Sequence, residues 1–108
     1  MALIANEFRD DPRVIEGKRL IQEALQDHQK SITKIKPPDP TLELSYDDLL
    51  KEFASYRGNK LWFPFIGSGI GHGPLVELRD GSIKYDFITG IGSHFFGHSS
   101  PKMIEAAL

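Results

Sequence analysis

The sequence predicts an α+β fold made of two helices, a β-hairpin and the start of a third helix. Three observations support this fold class. Apolar residues recur at helical spacing after Pro12, a second helical pattern follows Ser45, and an Asp80-Gly81 pair separates two short alternating segments. We expect two parts: residues 1–40, a helix with a proline-rich spacer, and residues 41–108, which contain the hairpin.

The first helix is predicted to begin at Asp11-Pro12, where an acidic side chain and a proline suit the first turn of a helix. Its apolar stripe predicts a helix of roughly 24 residues, and the stripe consists of Val14, Ile21, Leu25, His28, Ile32 and Ile35. Because the stripe is narrow, we expect this helix to pack in a groove of its own domain or of a partner.

Residues 36–40 contain three prolines, which end the first helix and favour an extended, stiff spacer. The second helix is predicted from Tyr46 to Tyr56. Ser45 and Asp48 resemble a capping box at its start, and Gly58 suits the position just after its end.

Two segments then lead into the hairpin. The aromatic segment, residues 59–66, is interpreted as filling of a core or a subunit interface, and a substrate-lining role is the alternative. The glycines of residues 67–73 alternate before a strand, so they match neither the dinucleotide fingerprint nor the phosphate loop of nucleotidases. We expect a flexible entry into the hairpin.

The segment from Leu75 to Phe87 predicts a β-hairpin. Asp80-Gly81 accepts positive φ at both central positions, as a two-residue type I′ turn requires. Such a turn fixes the register and places three pairs opposite each other: Val76 with Tyr85, Glu77 with Lys84, and Leu78 with Ile83. One face would then be apolar, formed by Val76, Leu78, Ile83, Tyr85 and Phe87.

A glycine-rich loop follows the hairpin, and Ser99-Ser100-Pro101 predicts the start of a third helix. No stop signal closes this helix before Leu108, so we expect the chain to be part of a longer one. His94 and His98 have the spacing of zinc ligands on a helix, but they lie in a loop without a third ligand. We expect no metal site, and we expect His98 to hydrogen-bond the backbone and fix the turn.

Composition excludes several classes of function. A net charge of −2 gives no reason to expect nucleic acid or an anionic membrane as a partner, and no apolar run approaches the length of a membrane span. The absence of cysteine suits a reducing compartment, so we expect a cytoplasmic protein.

The second half of the chain resembles the N-terminal signature of class III aminotransferases. The resemblance covers residues 67–108 and depends on residues in a fixed order: Gly71, Leu75-Val76, Asp80-Gly81, Tyr85-Asp86-Phe87, Gly90-Ile91, Gly97-His98, Pro101 and Ala106. Members of this family are homodimeric enzymes of fold type I, an α/β fold, that use pyridoxal phosphate. The resemblance implies amino transfer from an ω-amino donor to a 2-oxo acid.

The resemblance also implies which part of such an enzyme this chain would form. Its hairpin would belong to the small domain, and the following loop would reach the substrate. Thr89, Gly90, Ile91 and Gly92 are then the candidate substrate-binding residues, although the glycines also suit a simple turn of the chain. The family's cofactor-bearing lysine, pyridine-binding aspartate and phosphate-binding turn have no counterpart here, so the rest of the enzyme would bind the cofactor.

Two hypotheses follow for the whole chain. The first is the N-terminal part of a pyridoxal-phosphate aminotransferase that is inactive alone. The second is a stand-alone, non-catalytic interaction module that docks through its first helix and the aromatic segment. Under either hypothesis the apolar surface exceeds what a monomer of this size tolerates, so we expect contact with another copy or with the rest of the chain.

Overall fold

A computed structural model describes residues 1–89, 91–92 and 96–108. Its elements in chain order are α1 (Ile4–Arg9), α2 (Pro12–Gln29), a 3₁₀ turn (Pro40–Leu42), α3 (Glu43–Arg57), β1 (Gly67–His72), β2 (Leu75–Leu78), β3 (Ile83–Tyr85) and α4 (Pro101–Ala107). Within these residues the strands form one antiparallel sheet in the order β1-β2-β3. Helices beside a small antiparallel sheet confirm the predicted α+β fold of this chain.

Helix α2 begins as predicted and ends earlier than predicted. The Asp11 carboxylate accepts a hydrogen bond of 2.8 Å from the backbone N–H of Arg13, which caps the first turn. After Gln29 the chain leaves the helix through a tight turn, in which the N–H of Ile32 donates to the Gln29 carbonyl at 2.9 Å. Ile32 and Ile35 therefore lie beyond the helix and do not share a buried face, since Ile32 is 4% exposed and Ile35 is 60% exposed. The part of the predicted stripe beyond Gln29 is wrong. The short helix α1 was not predicted.

Helix α3 also begins earlier than predicted. The Asp39 carboxylate caps the preceding 3₁₀ turn by accepting a bond of 2.9 Å from the N–H of Thr41. The Ser45 hydroxyl donates to the Leu42 carbonyl at 2.9 Å, so Ser45 lies inside the helix and is not its N-cap. The capping box was a wrong prediction. Gly58, with φ 79°, ends the helix as predicted.

The hairpin forms with a register one residue away from the predicted one. The structure pairs Leu75 with Tyr85, Val76 with Lys84, and Glu77 with Ile83. The cause is a three-residue loop, residues 79–81, closed by a bond of 2.8 Å from the N–H of Leu78 to the Ser82 carbonyl. Gly81 takes the left-handed conformation that such a loop requires, with φ 80°. Glu77 and Lys84 are therefore not opposite each other, and the predicted apolar face is wrong because Tyr85 and Phe87 are exposed.

Residues 67–72 form strand β1, where a flexible entry was expected. Strand β1 pairs with β2 along its length, with an irregularity between Gly67 and Gly71. A Cβ at Gly71 would lie 2.4 Å from the His98 Cβ and 2.6 Å from the Leu75 carbonyl oxygen. This glycine therefore permits a close approach between the strand and the segment before α4.

The core is small and joins both parts of the chain. Ile32, Leu75 and Ile83 form a buried cluster, and Ile70 packs against it. The spacer is extended, as predicted, and it lies along β3, because Lys36 and Ile83 exchange two backbone hydrogen bonds of 3.0 Å. With dimensions of 55 × 33 × 27 Å, the chain is elongated and has little interior.

The aromatic segment lies on the surface. Trp62, Phe63 and Phe65 are 81%, 71% and 59% exposed, so the prediction that they fill a core is wrong within this chain. The Tyr46 hydroxyl holds the segment to α3. It donates to the Pro64 carbonyl at 2.6 Å and accepts from the N–H of Ile66 at 3.1 Å. A role at an interface or beside a substrate stays a prediction.

Across the described residues, the helices are too short or too polar to cross a bilayer.

Candidate functional site

The candidate site lies where β3 ends and the glycine-rich loop begins. The N–H of Asp86 donates to the Pro74 carbonyl at 2.8 Å, which continues the strand pairing by one residue. The Asp86 side chain then folds back on the chain. Its Oδ1 accepts hydrogen bonds of 3.0 Å from the N–H of Ile88 and 2.8 Å from the N–H of Thr89. These bonds create a tight turn at residues 86–89, which we call the Asp86 turn.

His98 contacts the other oxygen of the same carboxylate. Its Nε2 lies 2.7 Å from Asp86 Oδ2, and the two side chains are 16% and 20% exposed. This hydrogen bond is the main reason that the pKa of the Asp86 carboxyl lies below its ordinary value. Partial burial opposes the effect, and the backbone N–H groups of Thr89 and Ile88 add to it. Asp86 is therefore held as a carboxylate that accepts three hydrogen bonds.

His98 contacts the backbone as well as the carboxylate. Its backbone N–H donates to the Gly73 carbonyl at 2.8 Å, and its ring contacts Asp86. His94, the other histidine considered for a metal site, lies outside the described residues. In the described part of the chain no three potential metal ligands cluster together.

A side chain of α2 holds the segment before α4 in place. The Gln29 side chain is buried, and its amide donates to the Gly71 carbonyl at 3.0 Å and the Ser99 carbonyl at 2.9 Å. The Ser99 hydroxyl accepts from the N–H of Gly71 at 3.1 Å. Helix α4 begins at Pro101 as predicted, although the side chain of its N-cap residue Ser100 makes no capping bond.

The predicted substrate-binding residues continue from the Asp86 turn. Thr89 and Ile91 have φ of 55° and 58°, and Gly92 has φ 88°. The N–H of Gly92 donates to the Ile88 carbonyl at 3.2 Å. The fourth residue, Gly90, lies outside the described residues. The backbone around Ile91 is thus tied back to the Asp86 turn, and the Ile91 side chain is 93% exposed.

Three exposed apolar side chains lie in the Asp86 turn or just after it. Phe87, Ile88 and Ile91 are 87%, 66% and 93% exposed, and we call them the apolar rim. The rings of Phe87 and Tyr85 stack with centroids 5.7 Å apart. Chemically, such a surface can contact the carbon skeleton of a ligand or the apolar surface of another polypeptide.

The described residues do not fit a pocket for pyridoxal phosphate. Of the lysines in the signature segment, Lys84 is half-buried on β3 and Lys102 is exposed on α4. Most of the glycine-rich segment that was considered for phosphate binding forms strand β1, which is paired with β2. Asp86 and His98 are engaged with each other. The chain can therefore present an apolar surface, but its described residues offer no enclosed lysine to attach a cofactor.

The chain is similar in sequence to a known enzyme. Over 72 residues, which are 67% of this chain, the sequence is 32% identical to an alanine/serine racemase of Pyrococcus horikoshii. The chain spans 15% of the length of that protein. No family model matches the chain, and no solved structure matches it.

Proposed function

We propose that this chain is the N-terminal, substrate-facing segment of a pyridoxal-phosphate enzyme that acts on amino groups. The observation that carries the proposal is the similarity to an alanine/serine racemase over 67% of the chain. It agrees with the signature of residues 67–108, which resembles another class of pyridoxal-phosphate enzyme. When bound, the cofactor withdraws electrons from the carbon that carries the amino group, and both racemisation and amino transfer need this.

The finer assignment within the proposal is an aminotransferase of class III, which moves an amino group from an ω-amino donor to a 2-oxo acid. The signature supports it, because its strand, turn, loop and helix follow in the order typical of that class. We further propose that the enzyme is a cytoplasmic homodimer. A second candidate is racemisation of a small amino acid, which the similarity to alanine/serine racemase favours.

The role proposed for this segment is to line the substrate site, not to attach the cofactor. Thr89, Gly90, Ile91 and Gly92 would lie against the carbon chain of the substrate. The full exposure of Ile91 supports this role, because nothing in the described residues covers its side chain. The cofactor would be held by residues that follow this segment in the whole enzyme.

The test is a product analysis of the full-length protein supplied with pyridoxal phosphate. With δ-aminovalerate and a 2-oxo acid, we expect the 2-oxo acid to be converted to its amino acid. Incubation with L-alanine alone separates the second candidate, because a racemase would form D-alanine without any 2-oxo acid. If neither product forms, the result contradicts the proposed function and favours the interaction module that docks through its first helix and the exposed aromatic segment.

A further inference from the structure

The Asp86 carboxylate joins two stretches of chain that are 12 residues apart. Oδ1 accepts from the N–H groups of Ile88 and Thr89, and Oδ2 accepts from the His98 ring. Both carboxylate oxygens therefore accept hydrogen bonds, one from the adjacent turn and the other from the segment before α4. Hydrogen bonds to an ionised group are stronger than neutral ones, so this contact restrains the turn more firmly than a neutral side chain could.

The turn that Asp86 restrains is strained. Thr89 and Ile91 are β-branched and have φ of 55° and 58°, a left-handed conformation that is unfavourable for such residues. It persists only where surrounding contacts enforce it. Here the contacts are the two bonds to Asp86 Oδ1 and the bond of 3.2 Å from the N–H of Gly92 to the Ile88 carbonyl. The direction in which Ile91 points therefore depends on Asp86.

His98 is fixed without any help from Asp86. Its backbone N–H is bonded to the Gly73 carbonyl, and its Cβ occupies the space that a side chain at Gly71 would need. The neighbouring Ser99 is bonded to Gly71 and to the buried Gln29. His98 is thus attached to the sheet and to α2, and it offers its ring to Asp86 from a rigid position.

We propose that Asp86 and His98 are a positioning pair that sets where Ile91 meets the carbon chain of the substrate. The inference rests on the proposed function, and it assigns to the pair no contact with the substrate itself. The pair should affect long and short substrates differently. A substrate with a long carbon chain reaches Ile91 and needs the turn in place, whereas a short one reacts without that contact. Loss of the pair should therefore change substrate selectivity more than turnover.

The experiment compares Asp86→Asn with Asp80→Asn in the full-length enzyme. Asp80 is a matched control, because its Oδ1 accepts from the N–H and hydroxyl of Ser82 in the hairpin loop, away from the Asp86 turn. In Asp86→Asn we expect KM for δ-aminovalerate to rise about tenfold, the size expected for one charge-assisted hydrogen bond. We expect KM for β-alanine, and kcat for both donors, to stay near the wild-type values. The Asp80→Asn control should leave the ratio of the two KM values unchanged.

Two variants of His98 guard against a general loss of folding. His98→Ala removes the donor and should reproduce the change in selectivity, whereas His98→Gln keeps a side-chain N–H and should restore part of it. Hydrogen exchange gives a readout that does not depend on activity. Amides of residues 86–89, 91 and 92 should exchange faster in Asp86→Asn and His98→Ala, and at the wild-type rate in Asp80→Asn.

Failure of the inference and failure of the proposed function can be distinguished. A wild-type enzyme without either amino-group reaction overturns the proposed function and the inference together. An active enzyme whose Asp86→Asn variant shows unchanged exchange, or an equal rise of KM for both donors, overturns the positioning pair alone.

Discussion

Replacing Ile32 with alanine is expected to lower the free energy of unfolding by about 2–5 kcal/mol, the usual cost of such a cavity in a core. Ile32 is 4% exposed and forms the buried cluster with Leu75 and Ile83. Because the chain has few buried side chains, a loss of this size is a large share of its stability. Urea denaturation followed by circular dichroism measures the change.

Ile35→Ala is the matched control, since it removes the same atoms three positions further along. Ile35 is 60% exposed, and we expect a change within about 0.5 kcal/mol, as for other surface substitutions. Similar losses for Ile32→Ala and Ile35→Ala would contradict the structure. They would show that both residues lie on one buried stripe of a longer helix, as the sequence pattern indicates.

Replacing Gly71 with alanine is expected to lower the free energy of unfolding by about 1–3 kcal/mol, the cost of overpacking a tight site. The added Cβ would lie 2.4 Å from the His98 Cβ and 2.6 Å from the Leu75 carbonyl oxygen. One of these is backbone and cannot rotate away. The substitution should therefore separate β1 from the segment that holds His98.

Gly17→Ala is the control for this prediction. Gly17 lies in α2 with no atom within 4 Å of the position that a Cβ would take. Alanine is favoured over glycine in a helix, so we expect a gain of about 0.5–1 kcal/mol. Thermal melts of the two variants should therefore shift in opposite directions. A gain in both would show that β1 does not approach His98 closely.

Local signals in the sequence predicted the element types better than their boundaries. Asp11-Pro12, Gly58 and Pro101 mark helix ends correctly, because capping depends on residues close to each other in the chain. The hairpin register was wrong for a physical reason. Asp80-Gly81 fits a two-residue loop and also a three-residue loop with glycine last, and the residues themselves do not separate the two.

Long-range contacts explain the remaining differences. Gln29 is polar and yet buried, because its amide donates to backbone carbonyls 42 and 70 residues away. Strand β1 was missed because alternating glycines by themselves indicate a flexible segment. The close approach of His98, which requires a glycine at position 71, is a long-range contact. Asp86 was the missed residue of the candidate site. An aspartate at a strand end suggests a turn, yet nothing local indicates that its partner is His98.

Trapping of pyridoxal phosphate on the full-length protein tests most directly whether this segment lies beside the substrate without attaching the cofactor. Reduction with borohydride makes the attachment permanent, and peptide mapping then locates the labelled lysine. We expect a single labelled lysine outside residues 1–108, because the lysines of the described segment lie at its surface or are only half-buried. A stoichiometric label on Lys84, Lys102 or another lysine of this chain, or no label on the protein, would contradict the proposal.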